Sequence, residues 1–327
     1  MMSRRSLARA AVAWCAAALS PVAVAAEQNT YPERPVRLIV PFPPGGGTDL
    51  VSRTIQPALS SRLGQQLVID NRGGAQGILG TQIAASAAPD GYTLVIAEIG
   101  ATAVATALTP NLQFDVIRDF APISQLIVQP YIMSVNPSVP AKSITEFVKL
   151  AQSKPGSLNY GSGNVTAHVM QEVFFRTAKI TLTHIPYRGS GPSVTALLGN
   201  EVQTIFSGPG AAIPQIKAGK IRALAVTTLK RSRELPDVPS LDESGFKGFE
   251  ISGWYGIMAP AKTPRPIINR LNSDIVAVLS TGETPKLLMT RGYDPTPTTP
   301  DAFGKYLRSE VIRWSKAVKD YGIKSVD

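Results

Sequence analysis

The chain has 327 residues, with 33 Lys and Arg against 23 Asp and Glu, a formal charge of +10 and a single cysteine. The basic residues are scattered and are not gathered into a stripe with interleaved aromatic residues, which argues against a nucleic-acid-binding surface. A chain of this length exceeds the usual size of one hydrophobic core, so we expect two domains.

Residues 1–26 have the pattern of a signal peptide. Three arginines precede a short apolar run, and an A-x-A-type cleavage site follows at residues 23–25. Residues 3–7 also faintly resemble a twin-arginine signal, although the general secretory route is favoured. Cleavage would take three arginines from +10, leaving +7, and would remove Cys15, so the mature protein would have no thiol. No later stretch approaches the ~18 apolar residues of a membrane span, and we expect an exported, periplasmic protein.

Residues 36–63 predict a strand, a glycine-rich loop and a helix. The apolar run Val36–Val40 is typical of a buried parallel strand, and the prolines after it end the strand. The glycines at 45–47 allow a tight turn and close approach of a ligand to the backbone. Thr48 fits the N-cap and Asp49 the first turn of a helix. Free amides and the helix dipole there suit a small anion.

This loop does not match the nucleotide-binding patterns. A phosphate-binding loop needs Lys and then Ser or Thr after its last glycine, but Thr48 and Asp49 follow Gly47. The dinucleotide fingerprint needs glycine at position 50, which is Leu50. Two interpretations remain: a carboxylate held by backbone amides, or a turn with only a structural role.

Strands and helices then alternate. We predict a strand at 66–70, a helix at 78–87 and a strand at 92–97, which is the spacing of βαβ units in a doubly wound parallel sheet. Ligands of such sheets bind beyond the carboxyl ends of the strands, so the loop Glu98–Thr102 is expected at the same rim. A strand at 120–128 then meets an interruption at 129–131, which indicates a domain boundary.

The pattern restarts after this interruption. Predicted strands lie at 132–135, 158–161, 182–187, 202–206 and 223–226, with helices at 144–152, 167–177, 192–198 and 211–218. A strand at 251–259 returns to the first domain and is followed by helices at 267–279 and 302–321. We therefore predict an α/β protein whose first domain is 27–129 with 252–327 and whose second is 130–251. Each is a mostly parallel, doubly wound sheet, and two crossing strands join the lobes across a cleft.

Five segments carry a resemblance to a known family. They are YPERPVRLIVPFPPGGGTD (31–49), APDGYTLVIA (88–97), HIPYRGSGPSVTALLGNEV (184–202), IKAGKIRALAV (216–226) and GWYGIMAPAKTP (253–264). In this set and order they resemble the periplasmic solute-binding proteins of tripartite tricarboxylate transporters, the Bug or TctC family. The resemblance implies a two-lobed periplasmic binding-protein fold of type II-like topology that hands a carboxylate to a membrane permease.

The resemblance and the predicted loops together give the expected ligand-binding residues. In the family, the loops that match 41–49 and 160–168 hold a ligand carboxylate, largely through backbone groups and ordered water. The expected set is Phe42, Gly45, Gly46, Gly47, Thr48, Asp49, Glu98, Gly100, Ser162, Gly163, Asn164, Thr166, His168, Tyr187, Arg188, Ser207 and Gly208. We expect no cofactor, no metal and a monomer.

An enzymatic function is disfavoured because the sequence offers few candidates for a catalytic base or nucleophile. His168 and His184 are the only histidines, and no G-x-S-x-G nucleophile motif is present. His168 and Glu172 share a helix face, but two ligands are too few for a metal. A sensory subunit that serves a membrane kinase remains the alternative to transport.

Two questions about the cleft stay open in the sequence. Trp254 and Tyr255 fit either the cleft or the core. The turn Ser207-Gly208 stands where family members that bind amino acids tend to carry Asp, so we expect a carboxylate without an α-amino group. The sequence leaves open whether the ligand is a citrate-like, short dicarboxylic or aromatic acid.

Overall fold

The computed structural model describes residues 31–109 and 111–323, and this part of the chain forms two β-sheets flanked by helices. The signal peptide and Cys15 lie outside the described residues. The strands are β1 (Val36–Val40), β2 (Leu67–Asn71), β3 (Thr93–Glu98), β4 (Phe120–Pro130), β5 (Ile132–Val135), β6 (Asn159–Ser162), β7 (Thr183–Pro186), β8 (Thr204–Ser207), β9 (Arg222–Val226), β10 (Ser252–Pro260) and β11 (Asp294–Pro295). The helices are α1 (Gly47–Leu63), α2 (Ile78–Ala85), α3 (Ala105–Leu108), α4 (Ile144–Ser153), α5 (Val165–Thr177), α6 (Ser190–Leu198), α7 (Pro209–Lys217), α8 (Arg265–Ser280), α9 (Glu283–Met289) and α10 (Pro300–Tyr321).

The first sheet has the strand order β11-β4-β10-β3-β1-β2. Strand β1 pairs in parallel with β2 and β3, as the buried apolar run at 36–40 predicts. Strand β10 lies antiparallel between β3 and β4, so β4 runs in the direction of β1. The sheet is therefore mostly parallel, with β10 as its long antiparallel member.

The second sheet has the order β7-β6-β8-β5-β9 and repeats this arrangement. Strands β6, β7 and β8 are parallel to one another, and β5 runs antiparallel between β8 and β9. The two sheets form two lobes, which confirms the predicted α/β fold with mostly parallel sheets.

The crossings between the lobes lie side by side. Strand β4 ends at Pro130 and β5 begins at Ile132, while β10 starts the return at Ser252. Gln129 and Gly253 are register partners in the pairing of β4 with β10. A Cβ on Gly253 would lie 2.7 Å from the ring of Tyr131, so this crossing leaves no room for a side chain. We retain 130–251 as the proposed second domain, since all strands of the second sheet fall within it.

The helices cover the first sheet in two groups. Helix α1 contacts α8 and α9, while α10 contacts α3 and the turn that precedes it. Trp254 is fully buried among these elements, and its indole Nε1 donates to Glu310 Oε2 at 3.1 Å. Trp314 Nε1 donates to the same oxygen at 3.2 Å. Trp254 therefore belongs to the core.

Two local predictions are wrong. Helix α1 begins at Gly47 with Gly46 as its N-cap, so Thr48 lies inside the first turn and does not cap the helix. The predicted loop Glu98–Thr102 is helical from Gly100, where a π-helical turn leads directly into α3. The small residues of this turn pack closely, and Thr102 Oγ1 donates to the Glu98 carbonyl at 2.6 Å. Helix α9 and strand β11 were not predicted at all.

No helix within the described ranges combines the length and the apolar character needed to cross a membrane.

Candidate functional site

A cavity of about 630 Å³ lies between the two lobes. Residues of both lobes line it, together with two residues at the crossing, so the cavity depends on how the lobes are placed. The first lobe contributes Phe42–Thr48, Leu50, Glu98, Tyr255 and Tyr293. The second contributes Gly163, Asn164, Arg188–Pro192, Val194, Thr195, Leu198, Gly208, Gly210, Ala211, Pro214 and Gln215, and the crossing contributes Gln129 and Tyr131.

The glycine-rich loop presents unpaired amides to this cavity. Gly45 adopts a positive φ of 85°, which turns the chain from β1 into α1. The Leu50 N–H donates to the Gly46 carbonyl at 2.9 Å and closes the first helical turn. Among the described residues, the N–H groups of Gly46, Gly47 and Thr48 have no acceptor. Free N–H groups and the positive end of a helix dipole are features that suit an anion.

Gly47 is required where α1 meets two tyrosines. A Cβ at this position would lie 2.5 Å from the hydroxyl of Tyr255 and 3.1 Å from that of Tyr293. Only glycine lets the helix N-terminus approach both hydroxyls this closely. The Gly47 N–H and the hydroxyls of Tyr255 and Tyr293 therefore lie close together at the buried end of the cavity.

Asp49 lies beside the loop and not on the cavity lining. Its carboxylate accepts hydrogen bonds from the Gly45 N–H at 2.9 Å, from Arg53 Nε and from Asn71 Nδ2. Burial would raise the pKa of Asp49, but these hydrogen bonds outweigh burial and lower the pKa below its usual value. The side chain therefore fixes the shape of the loop.

Glu98 lines the cavity and joins the two lobes. Its side chain is 3% exposed, and Oε2 accepts the N–H groups of Gly100 at 2.7 Å and Ala101 at 3.0 Å. Oε1 accepts the hydroxyl of Thr166, in the first turn of α5 of the second lobe, at 3.0 Å. Burial without a cation raises the pKa of Glu98, against the effect of these hydrogen bonds. Gly100 packs so closely on Thr166 that a Cβ would lie 2.4 Å from its hydroxyl oxygen.

The loop before α5 places two of its residues at the cavity. Gly163 and Asn164 line the cavity, and Asn164 caps α5 by accepting the Ala167 N–H at 2.8 Å. Ser162 does not reach the lining, because its hydroxyl lies 2.7 Å from His184 Nε2. Thr166 also lies behind the lining, where it contacts Glu98.

His168 and His184 stack on each other outside the cavity, with ring centroids 4.2 Å apart. His168 Nδ1 lies 3.1 Å from the hydroxyl of Tyr160, which donates to Glu172 Oε1 at 2.6 Å. Burial lowers the pKa of both histidines to about 4. Both are therefore neutral at pH 7 and serve the packing of the second lobe.

The remaining predicted residues divide between the lining and its surroundings. Arg188 lines the cavity, is exposed, and has no hydrogen bond or ion pair within the described chain. Tyr187 points elsewhere, with its hydroxyl donating to Glu201 Oε2 at 3.3 Å. Gly208 lines the cavity as the N-cap of α7, whereas Ser207 is buried behind it and its hydroxyl has no partner.

Four polar side chains at the buried end were missing from the predicted set. Gln129 Nε2 donates to the hydroxyl of Tyr255 at 3.1 Å, and the Gly210 N–H donates to the hydroxyl of Tyr293. Tyr131 completes the group directly after the crossing. Two sequence features point toward this group: the interrupted strand at 129–131, and Trp254-Tyr255, which fits either the cleft or the core. Nothing in the sequence singles out Tyr293.

The cavity is equipped to bind a carboxylate through neutral donors. Helices α1, α6 and α7 all begin at its wall, so several helix N-termini converge there. Glu98 and Arg188 are the charged side chains on the lining in the part of the chain described here. The described residues include no group of three or more His, Cys, Asp or Glu placed to hold a metal ion.

Comparison with known proteins agrees with this arrangement. Residues 51–323 match the family described as "Tripartite tricarboxylate transporter family receptor". The protein BugT of Bordetella pertussis is 34% identical over 93% of this chain and 94% of its own length. An R. palustris protein solved with adipate is 33% identical, covers 90% of this chain and all of its own, and superposes with a TM-score of 0.87. MatC from Rhodopseudomonas palustris, solved with bound malate, is 31% identical over 88% of this chain and all of its own, with a TM-score of 0.82. The chain therefore belongs to the receptor family of tripartite tricarboxylate transporters, a family of periplasmic solute-binding proteins and not of enzymes.

Proposed function

We propose that this protein captures a small carboxylate in the cavity between its lobes. The observation that carries the proposal is the set of unpaired N–H groups of Gly46, Gly47 and Thr48 at the buried end of that cavity. A carboxylate can accept two or three such hydrogen bonds while the dipole of α1 stabilises its charge. Relatives of the same fold that were solved with adipate and malate support the same ligand class.

The two loops play complementary parts in this proposal. The first-lobe loop supplies the amides, and the second-lobe loop adds Gly163 and Asn164 to the lining of the same cavity. Asp49, Ser162, Thr166 and His168 then act by holding those loops in shape, since their side chains are engaged by other protein groups. Arg188 offers a free guanidinium beside the cavity.

We further propose a place for the protein in transport. Residues 1–26 would direct export to the periplasm and be removed. The mature chain would then deliver its ligand, as a monomer, to the membrane subunits of a tripartite tricarboxylate-type permease. An uptake assay checks this: membrane vesicles that carry the permease should accumulate labelled acid only when the liganded protein is added. Uptake that is independent of the protein would favour the sensory alternative.

A thermal-shift comparison of acids with their amides tests the ligand class. A ligand that binds only the folded state raises the melting temperature, and hexanoate or benzoate should do so in a concentration-dependent way. Hexanamide and benzamide, which match these acids in shape but carry no charge, should have little effect. A panel of mono-, di- and tricarboxylates that leaves the melting temperature unchanged would contradict the proposed function.

A further inference from the structure

The buried side chains on the cavity lining are mostly polar, whereas the exposed ones are mostly apolar. The buried side chains on the lining include Thr48, Glu98, Tyr131, Tyr255 and Tyr293, and each ends in a hydroxyl or a carboxyl group. Most of the exposed side chains on the lining are apolar, and Arg188 and Thr195 are the polar ones in the part of the chain that is described. The apolar ones include Pro43, Pro44, Pro192, Pro214 and Leu198.

Helix α6 accounts for much of the apolar wall. Its residues Gly191, Val194, Thr195 and Leu198 line the cavity, and this spacing places them on one helical face. Leu198 is 36% exposed, so a large apolar side chain on the lining remains open to a ligand. Leu50 of α1 lines the same cavity. Such a wall gains from contact with an apolar ligand surface, because that contact removes it from water.

The charges on the lining suit a ligand with a single negative charge. The buried end offers one set of free amides, at Gly46–Thr48, and its charged residue among those described is the acid Glu98, so a second carboxylate there would be buried without a cation. A second carboxylate could reach a cation only at Arg188, which is exposed. An ion pair in that position contributes little because water screens it.

We propose, resting on the proposed function above, that this protein selects monocarboxylates with a bulky apolar body. The carboxylate lies at the amides of Gly46–Thr48, and the apolar body lies along α6 and Leu50. The cavity volume of about 630 Å³ accommodates a body well beyond the size of malate or succinate. Aliphatic and aromatic monoacids of medium size form the substrate class.

Pairs of acids that differ only in a second carboxylate test this selectivity. Isothermal titration calorimetry should compare hexanoate with adipate and benzoate with terephthalate. We expect each monoacid to bind at least about tenfold more tightly than its diacid, since the second carboxylate must meet an apolar wall or remain in water.

A charge placed on the wall should reverse this preference. Leu198→Lys adds a cation to the face of α6, and we expect it to weaken hexanoate and strengthen adipate, so that the affinity ratio moves by at least about tenfold. Leu229→Lys is the matched control, because Leu229 is 47% exposed and does not line the cavity. The control should keep the wild-type ratio.

The outcomes separate this inference from the function on which it rests. Adipate binding as tightly as hexanoate, or more tightly, would overturn the inference and leave carboxylate binding standing. A Leu198→Lys ratio equal to that of Leu229→Lys would also overturn it. Failure of every acid to bind would overturn the proposed function itself.

Discussion

Asp49 and Glu98 are two acids beside the same cavity in opposite electrostatic surroundings. Asp49 is paired with Arg53 and accepts two further hydrogen bonds, so its pKa is lowered and its charge is compensated within the loop. Glu98 is buried without a cation, and burial raises its pKa. The first acid therefore shapes the glycine-rich loop, while the second is an acid without a cation at the buried end, where we propose that only one ligand carboxylate binds.

Gly46→Val should weaken carboxylate binding at least tenfold (about 1.4 kcal/mol) by placing a branched side chain beside the amides. The backbone tolerates the change, because Gly46 has a φ of −78° and a Cβ there would meet only the Pro43 carbonyl at 3.7 Å. Calorimetry with hexanoate measures the loss of affinity, and thermal unfolding checks that the fold is retained.

Gly199→Val is the control for this substitution. Gly199 has a φ of −77°, and a Cβ there would meet neighbours at ordinary distances of 3.6–3.9 Å. Gly199 does not line the cavity, so the Gly199→Val variant should bind hexanoate with the affinity of the wild type. Unchanged affinity in Gly46→Val would contradict the proposed role of the loop.

An α-amino group on the ligand should reduce the affinity at least ~100-fold, because a buried ammonium without an acidic partner is costly. The turn Ser207-Gly208 offers no acid, and the oxygens of Glu98 already accept three hydrogen bonds. Hexanoate and norleucine form a suitable pair for titration. Equal binding of the two would point to Glu98 as the counter-ion, and Glu98→Gln should then abolish binding of norleucine alone.

At the level of elements, regular periodicity predicted the fold better than it predicted the site. The run at 36–40 and the glycines after it placed β1, the loop and the start of α1 to within a residue or two. The site was harder, because its buried end is assembled from distant segments: Gln129, Tyr131, Tyr255 and Tyr293 meet only through the pairing of β4 with β10 and the placement of the segment after α9. No local sequence pattern indicates that these four side chains are close in space. The sequence also does not indicate the direction of the Ser162 and His168 side chains, which point to partners within their own lobe.

The stacked histidines of the second lobe should make its stability depend on pH. Burial lowers the pKa of His168 and His184 to about 4 from an unfolded value of 6.5, so the unfolded chain binds more protons between these values. The stability that the two neutral histidines contribute to the folded state is fully present above pH 6.5 and is lost as the pH falls toward 4. His168 accounts for about 3 kcal/mol at most, and the more exposed His184 for less.

Urea unfolding at pH 7.5 and pH 5 measures this effect. His168→Gln keeps a hydrogen-bonding group near Tyr160 but does not titrate, so its stability should fall less between the two pH values than that of the wild type. Glu98 acts with the opposite sign, because its raised pKa favours the folded state as the pH falls. Both proteins contain Glu98, so its effect is removed when the variant is compared with the wild type. Identical pH dependence in the wild type and His168→Gln would contradict the assignment.

At the level of the whole molecule, ligand binding should draw the lobes together about the crossing at Gln129-Pro130 and Gly253-Trp254. Groups of the two lobes already meet across the cleft, where Thr166 donates to Glu98. A carboxylate that contacts both loops would favour the closed arrangement over open ones. Small-angle X-ray scattering should therefore give a smaller radius of gyration with saturating hexanoate than without ligand.

Thr166→Val sharpens this measurement by removing the hydrogen bond to Glu98 while keeping the shape of the side chain. Its ligand-free radius of gyration should equal or exceed that of the wild type, and saturating ligand should again reduce it. Identical scattering curves with and without ligand, in both proteins, would mean that the cleft is closed before the ligand arrives.

The position of β10 between β3 and β4 also sets the order in which the lobes can fold. Strands β5 to β9 are all synthesised before β10, so the second sheet can pair completely while the first still lacks an internal strand. The chain emerges with its N-terminus first, so β3 and β4 lack their shared partner β10 until residues 252–260 have been synthesised. We therefore expect the lobe in the middle of the sequence to become protease-resistant first, and the lobe that carries the N-terminus to become resistant last.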